Sequence, residues 1–370
     1  MFLLLAALVQ VTPSERVSAA VEAGIRDGAY PGAVVVIGTA DTVLFARGFG
    51  HFTWAADAPV PVPESTLVDL ASLTKVIATT TAVMRLVDDR LLELDRAVQD
   101  YLPAFRGTGK EAVTVRHLLE HRSGLRAFLP LHELTSTAEE ARARVMAEPL
   151  RWAPGGRVVY SDLNAMLLGW IVEVAAGQPL DRFVRERVFQ PLAMEHTRFL
   201  PPRAWRSRML PVGRWRGTPI AGEVHDQNAA RLGGVSGHAG LYSTGSDLAR
   251  FAQMILGGGT TGGVTLVRTE TVRMFTAPGA GNRALGWELR DTTTTDNTGT
   301  LLTPGTFGHT GFTGTSLWID PVRGLFVILL TNRVYAPRSG RSISRLKEVR
   351  GAVADAAVAF HAACRAASGC

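Results

Sequence analysis

The sequence predicts an α/β fold of the α+β type, in which helices flank an antiparallel sheet built from the N-terminal and C-terminal segments. Runs rich in β-forming residues lie near both ends of the chain, and helical spacing dominates the middle. Of the 370 residues, 46% are hydrophobic and 19% are charged, which supplies enough apolar mass for a large core. We therefore expect one unit, with a sheet region at 13–75 and 235–370 and a mainly helical region with loops at 76–234.

The segment 1–12 contains an apolar run at 2–9 that has the length of a signal-peptide core. No basic residue precedes the run and no clear small-x-small site follows it, so it reads as a weak or truncated signal or as an apolar strand. A secreted or periplasmic location is favoured, and a cytoplasmic one stays open. Since no stretch reaches about 18 uninterrupted apolar residues, no transmembrane anchor is expected.

The elements follow in order along the chain. A helix is expected over 14–27 with Ser14 as its N-cap, then a hairpin of strands at 33–37 and 43–49, then a long apolar helix from Ser72 to about residue 86. The remaining helices are expected at 114–120, 137–147, 163–176, 181–189 and 344–363. A second hairpin joins 317–320 to 325–330 through a Pro-Val-Arg-Gly turn.

Lysine is scarce, because only Lys75, Lys110 and Lys347 are lysines among the 39 basic residues. Arginine stays protonated in proteins, so a lysine is the basic side chain that can act as a base. The arginines are scattered among acidic residues without a nucleic-acid-binding motif, and no nucleic-acid partner is expected. A loose arginine cluster at 198–216 reads either as a solvated loop or as a site for an anionic ligand.

Several chemistries are excluded by missing motifs. The two cysteines, Cys364 and Cys370, are too few for a disulfide scaffold or a cysteine zinc site, although one terminal disulfide stays open. The chain has no G-x-S-x-G, H-E-x-x-H or phosphate-binding glycine motif. We expect neither a metal nor a cofactor.

The strongest chemical signal is Ser72-Leu-Thr-Lys75 at the start of an apolar helix. Side chains three residues apart share a helix face, so the Lys75 amine can reach the Ser72 hydroxyl, which is a weak nucleophile without such help. A second S-x-x-K match, from Ser344 to Lys347, lies in a polar, arginine-rich stretch and reads as surface helix.

Two further signals follow Ser72 in chain order: Tyr160-Ser-Asp162 before a helical run, and His309-Thr-Gly311 before a strand. Together they resemble the serine β-lactamase and penicillin-binding-protein superfamily, in particular its class C β-lactamase, DD-peptidase and esterase branch. That resemblance covers about residues 14–335 and implies a β-lactamase/transpeptidase-like fold that needs no cofactor. Recurring segments of the superfamily match residues 31–35, 115–125, 240–244 and 309–314.

The resemblance implies a role for each matching residue. It makes Ser72 the nucleophile that forms an acyl-enzyme, with Lys75 and Tyr160 sharing its proton. The backbone N–H groups of Ser72 and Phe312 are the expected oxyanion hole. The opposite wall, which would contact the substrate, is expected to be formed by His309, Thr310 and Gly311.

Two positions depart from the family pattern. Asp162 stands where many members have asparagine, and a carboxylate cannot donate an amide N–H to a substrate, so we expect it to hold Lys75 charged and oriented beside the substrate. His309 stands where β-lactamases usually have lysine, which makes the attraction for a substrate carboxylate weaker or pH-dependent. Both departures argue against an efficient β-lactamase.

A glycine-rich segment at 222–240 resembles a branch of the superfamily that includes muramyl-peptide amidases. We expect His225 and His238 to recognise substrate there, while purely local hydrogen bonding and a metal site that includes Asp226 stay open. His117 and His121, four residues apart on a predicted helix, read as scaffold rather than as metal ligands.

The expected function is that of a serine hydrolase acting through an acyl-enzyme on an amide or ester of a small molecule or peptide. A cell-wall peptide is favoured, in the manner of a DD-carboxypeptidase or a muramyl-peptide amidase. The alternatives are a carboxylesterase, a weak class C-type β-lactamase or, from another class, a non-catalytic penicillin-binding sensor. The oligomeric state stays open.

Overall fold

The computed structural model describes residues 12–367, so the apolar run at 2–9 and Cys370 lie outside the described residues. Four sheets are formed within that range. Their strands are β1 Gly32–Gly38, β2 Val43–Gly50, β3 Val68–Asp69, β4 Arg198–Phe199, β5 Gly213–Trp215, β6 Thr218–Ile220, β7 Leu241–Ser243, β8 Thr260–Thr261, β9 Val264–Thr265, β10 Glu288–Leu289, β11 Phe307–Thr310, β12 Ser316–Asp320 and β13 Leu325–Thr331.

Helices fill most of the remaining chain. The α-helices are α1 Pro13–Arg26, α2 Thr81–Asp88, α3 Val98–Tyr101, α4 Val115–Leu119, α5 Leu131–Leu134, α6 Ala138–Ala147, α7 Asp162–Ala176, α8 Leu180–Val184, α9 Gln227–Arg231, α10 Gly245–Leu256, α11 Thr269–Thr276 and α12 Ser342–Ala366. Short 3₁₀ turns cover Ala71–Leu73, Lys110–Ala112 and Arg203–Arg208, and π-helical turns cover Lys75–Thr80 and Arg185–Phe189.

The central sheet has the strand order β10-β11-β12-β13-β1-β2 and is antiparallel throughout. Its key pairing joins the two ends of the chain, because β1 lies against β13 with Val35 opposite Leu329. The predicted α+β fold, with one sheet assembled from N-terminal and C-terminal segments, is therefore confirmed.

The sheet separates two apolar cores, because successive side chains of a strand point to opposite faces. Every residue of β1 is buried. Val34 and Val36 belong to the larger core with α2, α7 and α10, whereas Val35 and Ile37 pack with α1 and α12 on the other face. This two-sided burial fixes the register of the strands that carry the site, since a one-residue slip would exchange the faces.

Local details differ from expectation at two helix starts. The first helix is capped by Thr12 rather than Ser14, because the Thr12 hydroxyl accepts the Glu15 N–H and the Glu15 carboxylate accepts the Thr12 N–H. The single helix expected from Ser72 is a 3₁₀ turn, a π-helical turn and α2 in succession. The boundaries at 75/76 and 234/235 stay a prediction.

Helix length and hydropathy give one candidate for a membrane span among residues 12–367. No single helix there is long and apolar enough, and only the bent pair of α7 with Leu180–Phe189 reaches the required length and composition. Most of α7 is buried in the larger core.

Leu329→Ala should lower the free energy of unfolding by about 2–5 kcal/mol, because it removes a fully enclosed side chain from the core beneath α12. Urea denaturation measures the change. The matched control is Val322→Ala at a position that is 74% exposed, where a loss within about 0.5 kcal/mol is expected. Equal losses at the two positions would contradict the assigned register.

Candidate active site

Ser72 lies in a strained turn that a buried carboxylate holds in place. The preceding residue, Ala71, adopts a φ of 46°, a left-handed conformation that costs energy for a residue other than glycine. Asp69 accepts the Ala71 N–H through Oδ1 and the His225 N–H through Oδ2, both at 2.8 Å. Asp69 therefore fixes the serine turn and ties the loop at His225 to it.

Lys75 is 4% exposed and connects three parts of the chain. Its Nζ donates to Ser72 Oγ at 2.9 Å and to the His238 carbonyl at 3.1 Å, and it lies 2.8 Å from Asp162 Oδ1. Burial works to lower the pKa of Lys75, but the Asp162 carboxylate, assisted by Tyr160, outweighs it and raises that pKa above its ordinary value. Lys75 is thus an ammonium at neutral pH.

Tyr160 lies beside Ser72 and Lys75, and its ring is close to two imidazole rings and two cations. Its ring centroid is 4.8 Å from that of His121 and 5.8 Å from that of His309. The Lys75 Nζ is 5.1 Å from the ring centroid and the Arg283 Cζ is 5.0 Å from it. The Tyr160 ring therefore lies close to two positive charges, which favour negative charge on the side chain.

His121 supports this tyrosine. Its Nδ1 accepts the Ser161 N–H at 3.2 Å, and burial lowers its pKa well below the ordinary value, so the ring is neutral. The expected pairing of His117 with His121 on one helix face is wrong, because α4 ends at Leu119 and His121 has a φ of 55°. His117 instead completes the capping box at Thr114.

The turn after β11 is fastened to the serine turn. Thr313 Oγ1 donates to the Asp69 carbonyl at 2.7 Å, and Thr315 Oγ1 donates to the Leu70 carbonyl at 2.9 Å. Gly311 permits this approach, because a Cβ at that position would lie 2.5 Å from the Leu70 carbonyl oxygen. Phe312 is thereby brought into the same cleft as Ser72, the arrangement that an oxyanion hole requires.

His309 is 2% exposed and presents an acceptor rather than a charge. Its Nδ1 donates to the Thr310 carbonyl at 2.7 Å, so the lone pair lies on Nε2, which has no hydrogen-bond partner within residues 12–367. Burial, reinforced by Arg283 and Lys75, lowers the pKa of His309 well below its ordinary value. A neutral ring with a lone pair on Nε2 does not attract a carboxylate.

The cleft at Ser72 has two lobes that share Ser72, Tyr160 and Phe312. One, here called the acidic lobe, has a volume of about 560 Å³. It is further lined by Phe128, His132, Asp162, His225, Asp226 and Asn228. The other, here called the basic lobe, has a volume of about 470 Å³. It is further lined by Arg283, Glu288, His309, Thr310, Lys347 and Arg350.

Arg283 is the residue that sequence reasoning missed. Its Nε and Nη1 are buried without a hydrogen-bond partner in the described part of the chain, and it lines the basic lobe next to Tyr160. Arg350 from α12 is held by the carbonyls of Gly311 and Thr315. Neither arginine belongs to a short motif, so only the fold brings them to the site.

The predicted rim residues fall into two places. The His225 ring lies in the acidic lobe against Phe312, with a centroid separation of 5.6 Å. His238 is buried behind the lobe, where its Nε2 contacts Asp226 Oδ1 at 3.0 Å and its carbonyl receives Lys75. No group of three or more metal-binding side chains is formed within residues 12–367.

The other two lysines have definite environments. Lys110 is buried, donates to the Met146 carbonyl at 2.6 Å and lies over the ring of Phe105. Lys347 lines the basic lobe, whereas Ser344 of the second S-x-x-K match is exposed on α12. In the arginine cluster, Arg198 and Arg208 lie over the ring of Trp205.

Comparison with known proteins gives a family match over residues 17–351 to the model described as Beta-lactamase. The chain belongs to the β-lactamase family. A relative from Escherichia coli K12 named "Putative D-alanyl-D-alanine carboxypeptidase" is 34% identical over 349 residues, covering 84% of this chain and 80% of that protein. The family, together with these relatives, makes the protein a serine hydrolase of the β-lactamase and penicillin-binding-protein type.

Solved structures support the fold. EstCE1, described as a hydrolase with promiscuous acyltransferase activity, is 23% identical with a TM-score of 0.74 and covers 92% of this chain and 98% of its own. A penicillin-binding protein homologue from Caulobacter crescentus is 21% identical with a TM-score of 0.75 and covers 93% and 97%. The β-lactamase/transpeptidase-like fold expected from the sequence is confirmed.

Asp69 should make stability depend on pH. Burial raises the pKa of Asp69 to about 6, above the ordinary value. The folded protein therefore binds this proton more tightly than the unfolded chain, and the resulting contribution to the free energy of unfolding is full below about pH 4 and is lost as pH rises through 6. The unfolding free energy of the wild type should therefore fall relative to that of Asp69→Asn over this range. Urea denaturation of both proteins at pH 4–8 measures the difference, and parallel curves would contradict it.

Proposed function

We propose that the protein is a D-alanyl-D-alanine carboxypeptidase in which Ser72 forms an acyl-enzyme. The observation that carries the proposal is the contact of Lys75 with both Ser72 Oγ and Asp162 at the junction of the two lobes. The name of the 34% identical relative supports the substrate class. A cell-wall substrate also implies export, in line with the apolar run at 2–9.

The proton path follows from the direction of the hydrogen bonds. Lys75 donates to Ser72 Oγ, so the serine O–H can give its proton to Tyr160, which reacts in this proposal as a phenolate stabilised by the Lys75 charge. As Oγ bonds to the scissile carbonyl carbon, the carbonyl oxygen takes up negative charge at the N–H groups of Ser72 and Phe312. Tyr160 then passes the proton to the leaving nitrogen as the C–N bond breaks.

Deacylation repeats the path with water. Tyr160 takes a proton from the water that attacks the ester carbonyl, and returns it to Ser72 Oγ as the ester bond breaks. Lys75 keeps its proton throughout, so its charge stabilises both Ser72 Oγ and the Tyr160 oxygen. The base in this proposal is Tyr160, and Asp162 acts through Lys75.

The basic lobe is proposed to hold the carboxylate of the leaving D-amino acid. His309 is neutral, so the attraction comes from Arg283, which lines the lobe and whose buried Nε and Nη1 have no hydrogen-bond partner within residues 12–367. The lone pair of His309 Nε2 suits a substrate N–H instead. In this assignment, arginine attracts the substrate carboxylate, as lysine does in family members that carry Lys-Thr-Gly.

Purified protein should release D-alanine from Nα-acetyl-L-lysyl-D-alanyl-D-alanine, and Ser72→Ala should abolish the release. The matched control substrate ends in D-alanyl-L-alanine and should not be cleaved. Stable labelling by fluorescent penicillin without turnover of peptides, esters or nitrocefin would instead support the sensor. Turnover of nitrophenyl esters alone would support the carboxylesterase.

Arg283→Gln should remove the preference for a free carboxylate. The wild type should cleave the free acid at least about tenfold better than its C-terminal amide, measured as kcat/KM, because a single charge-assisted pair is worth about 1.5–3 kcal/mol. Arg283→Lys keeps the charge and should keep part of the preference. An unchanged ratio in Arg283→Gln would place the carboxylate elsewhere.

Asp162→Asn should move the alkaline limb of the pH–rate profile to lower pH by about one unit or more. Without the carboxylate, burial dominates and the pKa of Lys75 falls, so the ammonium is lost at lower pH. Hydrolysis of a nitrophenyl ester across pH 6–11 measures the limb, with Asp41→Asn as an exposed control. Superimposable profiles would refute the proposed role of the ion pair.

A further inference from the structure

The acidic lobe contains a carboxylate, Asp226, whose two described hydrogen bonds both go to the same oxygen. Asp226 is 28% exposed and receives both of its hydrogen bonds on Oδ1, from the Ala229 N–H at 2.8 Å and from His238 Nε2 at 3.0 Å. Its Oδ2 has no hydrogen-bond partner within residues 12–367. Asp226 also lines the cleft, so Oδ2 is available to a bound molecule.

His238 holds Asp226 in place from behind the lobe. Its Nδ1 lies 2.7 Å from Ser236 Oγ and its Nε2 lies 3.0 Å from Asp226 Oδ1. Although burial works to raise the pKa of Asp226, electrostatic attraction to His238 and hydrogen bonds from His238 and the Ala229 N–H hold it well below the usual range. The carboxylate is therefore ionised, and its Oδ2 is the oxygen that His238 does not contact.

Aromatic faces complete the lobe. Phe128 is 48% exposed and lines the same cavity as Asp226 and the His225 ring. Phe312 lines it too, but its ring already contacts the Arg333 guanidinium, 4.5 Å from the ring centroid. An aromatic face attracts cations, so the Phe128 ring and the Asp226 carboxylate supply the two groups of an ammonium site. A second anion in the lobe would be repelled by Asp226, and an apolar group would leave Oδ2 without a partner.

We infer that the acidic lobe binds a primary ammonium group carried by the acyl-donor part of the substrate, with Asp226 as the specificity-determining residue. The inference rests on the proposed function, which decides which part of the substrate lies on each side of the scissile bond. The basic lobe takes the carboxylate of the leaving residue, and Ser72 lies between the lobes, so the acyl donor extends into the acidic lobe. The substrate class is a peptide with a free amine near its scissile D-alanyl bond.

Two peptides that differ by one acetyl group test this inference: Nα-acetyl-L-lysyl-D-alanyl-D-alanine and its Nα,Nε-diacetyl analogue. The wild type should favour the free amine by about tenfold in kcat/KM, and Asp226→Asn, which keeps an acceptor for Ala229, should reduce the ratio to below about threefold. Glu22→Gln removes a carboxylate of α1 that is 48% exposed and does not line the lobe, so its ratio should match the wild type.

A ratio near one in the wild type, or an unchanged ratio in Asp226→Asn, would overturn the inference. Equal losses on both peptides would also overturn it, because they would show that Asp226 only supports the fold. If Asp226→Asn does not fold, the wild-type ratio alone decides.

The 4-nitrophenyl esters of 6-aminohexanoic and 6-acetamidohexanoic acid distinguish failure of the proposed function from failure of the ammonium site. If neither peptide is cleaved but the amino ester is favoured and Asp226→Asn loses the preference, the peptidase assignment falls and the ammonium site stands. If the peptides are cleaved without regard to the amine, the peptidase stands and the ammonium site falls.

Discussion

The ion pair between the buried Lys75 and the partly exposed Asp162 is the interaction on which the rest of the site depends. The pair is 2.8 Å long, with Lys75 on the turn before α2 and Asp162 at the first residue of α7, where the helix dipole favours a carboxylate. Removing either partner would leave a buried charge uncompensated, which costs far more than an exposed pair contributes. Because the same ammonium also reaches Ser72 and the His238 carbonyl, its position fixes both the Ser72 hydroxyl and the back wall of the acidic lobe.

The sheet supplies the second constraint. Pairing of β1 with β13 brings the two ends of the chain together, and the threonines after β11 then fasten the Phe312 turn to the strained turn at Ser72. The charges of the two lobes follow from this assembly, since Arg350 arrives from α12 and Asp226 from the loop before α9. A cleft with one acidic and one basic lobe suits a substrate that carries both an amine and a carboxylate.

Much of the fold and the contact of Ser72 with Lys75 could be predicted from the sequence, because hydrophobic spacing, turn residues and a short S-x-x-K motif are local signals. Asp162 could be interpreted as a partner of Lys75 because it falls within a recognisable motif. Arg283 and the Oδ2 face of Asp226 could not be found, since their meaning comes from contacts across the fold. The state of His309 was also beyond reach, because it depends on a hydrogen bond to the Thr310 carbonyl and on burial.

The scarcity of lysine makes the central claim directly measurable. With three lysines in the chain, ¹⁵N-lysine labelling gives three Nζ signals, and Lys347→Arg identifies one of them. The account predicts that the Lys75 Nζ signal stays that of an ammonium up to pH 10.5, because Asp162 raises the pKa of Lys75 above its ordinary value. A Lys75 signal that titrates to the neutral amine near pH 7–8 would contradict it, and would return the role of base to the lysine.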